Sequence, residues 1–170
     1  LPQWRVSNAA AADWDNRPGD ALQILQQVDP EHDLDWLPDT EHLAYWDGLS
    51  SAYHALGRHE DELAAGSRSH LSSLGGLLIR GRALAALGRG AAALRVLDSS
   101  LAKPAEPGLT NGMLPLTDGR PEYAGSPAWV ALWIARELTV HGDSISGSTA
   151  ARRAATWIDA LPREDGETVE

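Results

Sequence analysis

The chain has 170 residues, 24 acidic side chains against 14 basic, a formal net charge of −10 and no cysteine. The missing thiols exclude disulfides, thiolate metal sites and a cysteine nucleophile, and leave either redox compartment open. Thirteen of the acids and only four of the bases lie in residues 1–70, which excludes a duplex-binding face there, because neutralising phosphates needs clustered Lys and Arg.

The longest apolar run, "WVALWIA" at Trp129–Ala135, falls far short of the roughly 20 residues that span a bilayer. No basic-then-apolar leader opens the chain. A soluble domain is expected, with no membrane insertion and with cytoplasmic and extracytoplasmic residence both open. The first residue is Leu1, so a processed product or a piece of a longer protein is expected. Apolar residues make up 43%, with seven Trp and no Phe. Alanine is abundant and β-branched residues are scattered, which points to closely packed helices and an all-α fold.

Residues 1–16 carry two Trp and several Ala and read as a possible helix. In "NRPGDALQILQQVDP", Pro18-Gly19 predicts a turn and Asp20 an N-cap, with Ala21, Leu22, Leu25 and Val28 on one helical face before Pro30. "EHDLDWLPD" follows as an acidic loop. Asp39 or Thr40 then caps a helix striped by Leu43, Trp46, Leu49, Tyr53 and Leu56 at helical spacing, and Gly57 ends it as a residue suited to the left-handed conformation. A partner helix runs from about His59 to Leu71, its first turn acidic at Glu60, Asp61 and Glu62 as the helix dipole favours.

After "SSLGG", Leu77, Leu78, Leu84 and Leu87 mark a helix stopped at Gly88, and Ala92, Leu94, Leu97 and Leu101 mark its partner, stopped near Pro104. Residues 104–127 are rich in Pro and Gly and read as one long irregular loop. Ser126 as N-cap with Pro127 at the first helical position opens a helix that stops at Gly142. A last helix runs to Leu161, with Ala150, Ala154, Trp157 and Ile158 inward, and "REDGETVE" is an acidic tail over 162–170.

"ALGR" occurs at Ala55–Arg58 and again at Ala86–Arg89, 31 residues on. Helix, tight Gly turn, helix and short linker, repeated, is the sign of a helical solenoid, in which each hairpin buries its apolar stripe against its neighbours. The specific resemblance is to tetratricopeptide repeats. Their pattern W-x2-L-G-x2-Y falls on Trp46, Leu49, Ser50 and Tyr53, with Ser50 in place of the glycine. In the second copy Gly81 keeps that glycine, while Leu77, Arg80 and Leu84 replace the other three. Ala93 matches the family's small residue at the close helix contact; Glu62 takes that place in the first copy.

"DALQILQQVDP" resembles the second half of an earlier repeat, and Trp129–Leu161 a degenerate last one. Phrases such as "YHALGRHEDELAAG" are similar to the repeat regions that sit behind kinase or DNA-binding modules in bacterial regulators. The resemblance implies one domain over 1–161: a short right-handed superhelical array, with good repeats at about 40–102 and a degenerate final hairpin at 127–161.

His54 and His59 are five apart with Gly57 between them, a spacing that does not stack two side chains on one helical face. His59 with Glu60 and Asp61 makes an imaginable ligand set, but the dipole explains those acids, so no metal site is expected. "DPEHDLD" lacks the turn glycine of a calcium loop. "GRG" at Gly88–Gly90 follows no strand, and no nucleophile elbow or His-Glu-x-x-His is present. No cofactor and no catalytic residue are expected, and the chain is not expected to be an enzyme.

Trp46, Trp129, Trp133 and Trp157 fall on or beside the apolar stripes and serve as large core residues; one of Trp4, Trp14 and Trp36 marks a contact patch. In the family the first helix of each pair lines a concave groove, which implies Asp47, Ser51, His54, Arg82 and Arg136 as partner-facing residues. Ser51, Arg82 and Arg136 share one slot in successive units. The expected function is a non-catalytic module that binds a protein partner, as part of a larger bacterial regulator or complex; the alternative is a structural accessory subunit of a large assembly, and a third reading, ranked last, is an enzyme with an unrecognised acid/base site.

Overall fold

The computed structural model describes residues 16–33, 39–68, 74–103 and 126–160, with side chains inside the second segment from Tyr45 onward. These residues form seven helices and no strand: α1 Pro18–Leu25, α2 Asp39–Ala55, α3 His59–Arg68, α4 Leu74–Ala86, α5 Gly90–Leu101, α6 Pro127–Val140 and α7 Ser144–Asp159. The all-α class read from composition therefore holds among them. The predicted helix before residue 16, most of the 104–127 loop, the acidic tail, Trp4, Trp14 and Trp36 lie outside the described residues.

Three pairs, α2–α3, α4–α5 and α6–α7, are joined by the same turn. Gly57, Gly88 and Gly142 have φ of 69°, 71° and 91°, a conformation that only glycine adopts at little cost. In each turn the residue after the glycine donates its backbone N–H five residues back: Arg58 to Tyr53 at 2.9 Å, Arg89 to Leu84 at 2.8 Å, Asp143 to Leu138 at 2.8 Å. This closes the orphan carbonyls of the first helix and fixes the entry of the second. A connection of only three residues then forces each pair antiparallel.

Helix α4 is the hub, packing on α2, α3, α5 and α6, while α5 also touches α6 and α7, and α1 packs on α2. The buried apolar residues fall into two clusters. One joins Ala21, Leu22 and Leu25 of α1 to Tyr45, Trp46, Leu49 and Ala52 of α2 and Ala65 of α3. The other joins Leu77, Leu78 and Ala85 of α4 to Ala93 and Leu97 of α5, Val130, Ile134 and Leu138 of α6, and Ala150 and Ala154 of α7. Close approach of α4 and α6 depends on Gly81, where an added Cβ would collide with Ile134.

Three local expectations shift. α1 begins at Pro18, with Arg17 rather than Asp20 in the cap position, since a proline at the first helical residue gives up an N–H that would be orphaned anyway. Asp20 instead sits in the first turn and pairs with Arg17 at 3.0 Å. Leu56 is 42% exposed rather than on the buried stripe, because it lies past the last helical residue where the chain already turns. Trp46 is buried, whereas Trp129 and Trp133 only pack against the core from its edge, and Trp157 is half-buried. Ser126 caps α6 as its sequence predicts, accepting the Trp129 backbone N–H at 3.2 Å.

Two substitutions separate backbone strain from steric fit. Gly88→Ala meets no neighbouring atom, so it should cost only the left-handed penalty, about 1 kcal/mol. Gly81→Ala should cost more, about 1–3 kcal/mol by overpacking, and be partly rescued by Ile134→Val, which removes the atom nearest the new methyl. Urea unfolding midpoints of the four variants, including the double, check both.

Candidate functional site

The turn between α2 and α3 brings together side chains that a single helix would keep apart. His54 stands in the last turn of α2, and His59 and Glu62 in the first turns of α3. Glu62 is fully buried. Its Oε1 accepts from Arg82 Nε of α4 at 2.6 Å. Its Oε2 faces His54 Nδ1 at 2.9 Å and His59 Nδ1 at 3.2 Å. The three donors of His54, His59 and Glu62 lie within 4.8 Å of one another.

The network continues into α6. His54 Nε2 lies 3.5 Å from Glu137 Oε2, as does His141 Nε2, and Arg136 Nη1 donates to Glu137 Oε1 at 3.0 Å. Glu137 is 3% exposed. The His59 ring packs against those of His54 and His141, with centroids 5.1 and 5.5 Å apart. Arg82 Nη2 is buried with no hydrogen-bond partner among the described residues.

Charge in this setting follows from the partners. Glu137 first and Glu62 second hold the His54 imidazolium, raising its pKa to about 9 against the opposing effects of burial and Arg82. Burial pushes the Glu62 carboxyl up, but His54 and Arg82 together outweigh it and leave it below the usual range. Glu137 is held low by His54 above all, against burial, with Arg136 and His141 adding to it. With both ring nitrogens facing carboxylates, His54 is a charged bridge between α3 and α6.

The structure divides the five groove residues. Asp47 is exposed and Ser51 half-exposed on α2, and the Arg136 side chain is 62% exposed on α6. Arg136 also lies over the Trp133 ring, 5.0 Å from its centroid. His54 and Arg82 instead turn inward to Glu62, with side chains 24% and 12% exposed. The shared slot of Ser51, Arg82 and Arg136 is therefore not one uniform face: a buried acid within reach claims Arg82. The five-residue spacing of His54 and His59 also misleads, because they sit on two helices across a sharp turn. Glu62, not Glu60 or Asp61, is the carboxylate that meets them.

A signal for both buried acids lies in the register of the turns. Five residues after each turn glycine stand Glu62, Ala93 and Gly147; five before stand Ala52, Ala83 and Glu137. All six are buried. An acid in a slot that its copies fill with Ala or Gly has to find cationic partners inside the protein. Among the described residues no helix is long and apolar enough to cross a membrane. The chain matches no family model, no curated protein and no solved structure.

The pH dependence of stability tests the network. His54, whose folded pKa is raised, contributes stability that is complete below its unfolded value near 6.5 and is lost as pH rises toward about 9. Glu62 and Glu137, both lowered, contribute above their ordinary 4.5 and lose it as pH falls. Stability in chelator-containing buffer should therefore peak between about pH 5 and 6.5. His54→Gln should flatten the alkaline limb in denaturant titrations. Glu62→Ala, which leaves Arg82 and His54 without their anion, should cost about 3–5 kcal/mol.

Proposed function

We propose that the chain is a non-catalytic tetratricopeptide-like module, a short right-handed array of helix pairs that binds a protein partner. The observation that supports this reading is the recurrence of one turn, at Gly57, Gly88 and Gly142, with α4 packed on both helices of the preceding pair and on the first helix of the next. In such an array α2, α4 and α6 line one face. α4 touches both α2 and α6, and behind them α5 also touches α7.

That face carries Asp47, Ser51, and Arg136 over Trp133. A guanidinium stacked on an aromatic ring is a compact anchor of the kind that dominates binding energy at interfaces. His54 and Arg82 support the face from beneath through Glu62 and Glu137 and do not themselves meet the partner. The reading assigns no bond-making step to the cluster.

Capture of partners from the source organism's lysate on immobilised chain, with Arg136→Glu and Asp47→Arg as comparisons, tests the proposal. The expected result is at least one co-purifying protein whose binding falls tenfold or more with either substitution while the helical circular dichroism is unchanged. Recovery of the same proteins on both variants would count against this face.

A further inference from the structure

We propose that His54 Nδ1, His59 Nδ1 and Glu62 Oε2 form a binding site for a divalent transition-metal ion of the zinc class, built across the α2–α3 turn. This goes beyond partner binding and does not depend on it.

The first support is geometric. A tetrahedral zinc site with ligand bonds of about 2.0–2.1 Å places its donors about 3.3 Å apart. Here the two imidazole nitrogens stand 2.9 and 3.2 Å from the same carboxylate oxygen, and all three donors fall within 4.8 Å. The two edges that meet at Glu62 Oε2 are within a few tenths of an ångström of that spacing, and the edge between the imidazoles, within 4.8 Å, closes toward it as the ion binds. Two imidazoles and one carboxylate are a donor set that suits zinc and leaves a fourth position to water. The side chains of His54 and His59 are 24% and 16% exposed, so the triangle has an approach from solvent.

The second support is the surrounding shell. A metal-bound imidazole characteristically directs its other ring nitrogen to a carboxylate, which fixes tautomer and orientation. His54 Nε2 faces Glu137 in that way. Ligating carboxylates are likewise held by hydrogen bonds, and Arg82 Nε holds Glu62 through Oε1, leaving Oε2 to the two imidazoles. Glu137 is itself oriented by Arg136 at 3.0 Å. Each ligand thus comes from a helix end set by the Gly57 turn, and two of the three are positioned from behind by a buried or partly buried side chain.

Proton and charge balance are simple. The metal–Nδ1 bond forms on His54 as the N–H bond there breaks and its proton leaves to solvent, and the Nε2–H stays directed at Glu137; His59 binds through Nδ1 as the neutral ring with its one proton carried on Nε2. The ion replaces one positive charge with two, and Glu62 and Glu137 oppose Arg82 and Arg136 around it. Arg82 works against the cation, so the affinity expected is lower than it would be without that neighbouring charge.

Zinc(II) and cobalt(II) titrations of the full chain, prepared in chelator and then desalted, decide it. The wild type should gain thermal stability with zinc, give the intense visible bands of tetrahedral cobalt(II), and bind one equivalent. His59→Asn, which leaves the Glu62–Arg82 and His54–Glu137 pairs in place, should weaken binding at least tenfold and abolish the bands; Glu137→Gln should weaken it about tenfold through orientation alone. As a readout independent of variant folding, zinc should shift the ring nitrogens of His54 and His59 in the wild-type NMR spectrum and leave those of His32 unmoved. No bands and no stabilisation at hundredfold excess metal would overturn the site. So would equal binding by His59→Asn, or ring shifts confined to His32.

Discussion

A carboxylate sealed from water has to be neutralised by groups the fold brings to it, and Glu62 imposes that condition on this protein. Its charge is met by Arg82 from α4 and by His54 from α2, and the same His54 reaches Glu137 on α6. One side chain in a slot filled elsewhere by Ala93 and Gly147 therefore governs how four helix ends sit together. Such a network is not the cheapest way to stabilise the contact, since apolar packing of the same volume is often as good. What it adds is direction: an apolar stripe tolerates sliding, whereas a bond from Nε to Oε1 at 2.6 Å does not.

The helix ends themselves favour the charges placed on them. Glu62 lies within the first turn of α3, where the amide dipoles present positive charge, and the His54 imidazolium lies in the last turn of α2, where they present negative charge. Glu137 is in the opposite situation, near the carbonyl end of α6. The dipole of its own helix does not favour it, and it relies on His54, Arg136 and His141. Each acid is met by three cationic or protonatable groups, Arg82, His54 and His59 at Glu62 and His54, Arg136 and His141 at Glu137, with His54 shared between them.

The helices were legible because their stops are chemical. Gly57, Gly88 and Gly142 each follow a periodic apolar run, and each adopts the left-handed conformation that makes glycine the right residue there. Ser126 and Pro127 were legible for the same reason. The cluster was not, because reading His54 and His59 by helical spacing assumes one continuous helix. Register against the turn glycines carries the missing information for Glu62 and Glu137, yet it names no partner: Arg82 is 20 residues from Glu62 in sequence, and His54 and Glu137 join only through the packing of α4 between their helices. Composition likewise assigns the tryptophans to the interior without distinguishing Trp46, which is enclosed, from Trp133, whose ring carries Arg136 on its outer side.

That last pair shows how surface and interior are joined. Arg136 and Glu137 are neighbours in sequence, about 100° apart around one helix, the first 62% exposed and the second 3%, and they are bonded to each other at 3.0 Å. A ligand that takes the Arg136 guanidinium for itself removes one donor from Glu137. Glu137 keeps His54 and His141 as its other partners, and His54 is also a donor to Glu62. The buried carboxylates share one imidazole, so hydrogen bonds and ion pairs run without a break through Arg136, Glu137, His54, Glu62 and Arg82. The polar network that joins α2, α3, α4 and α6 therefore extends from the exposed Arg136 to the two histidines that flank the turn at Gly57.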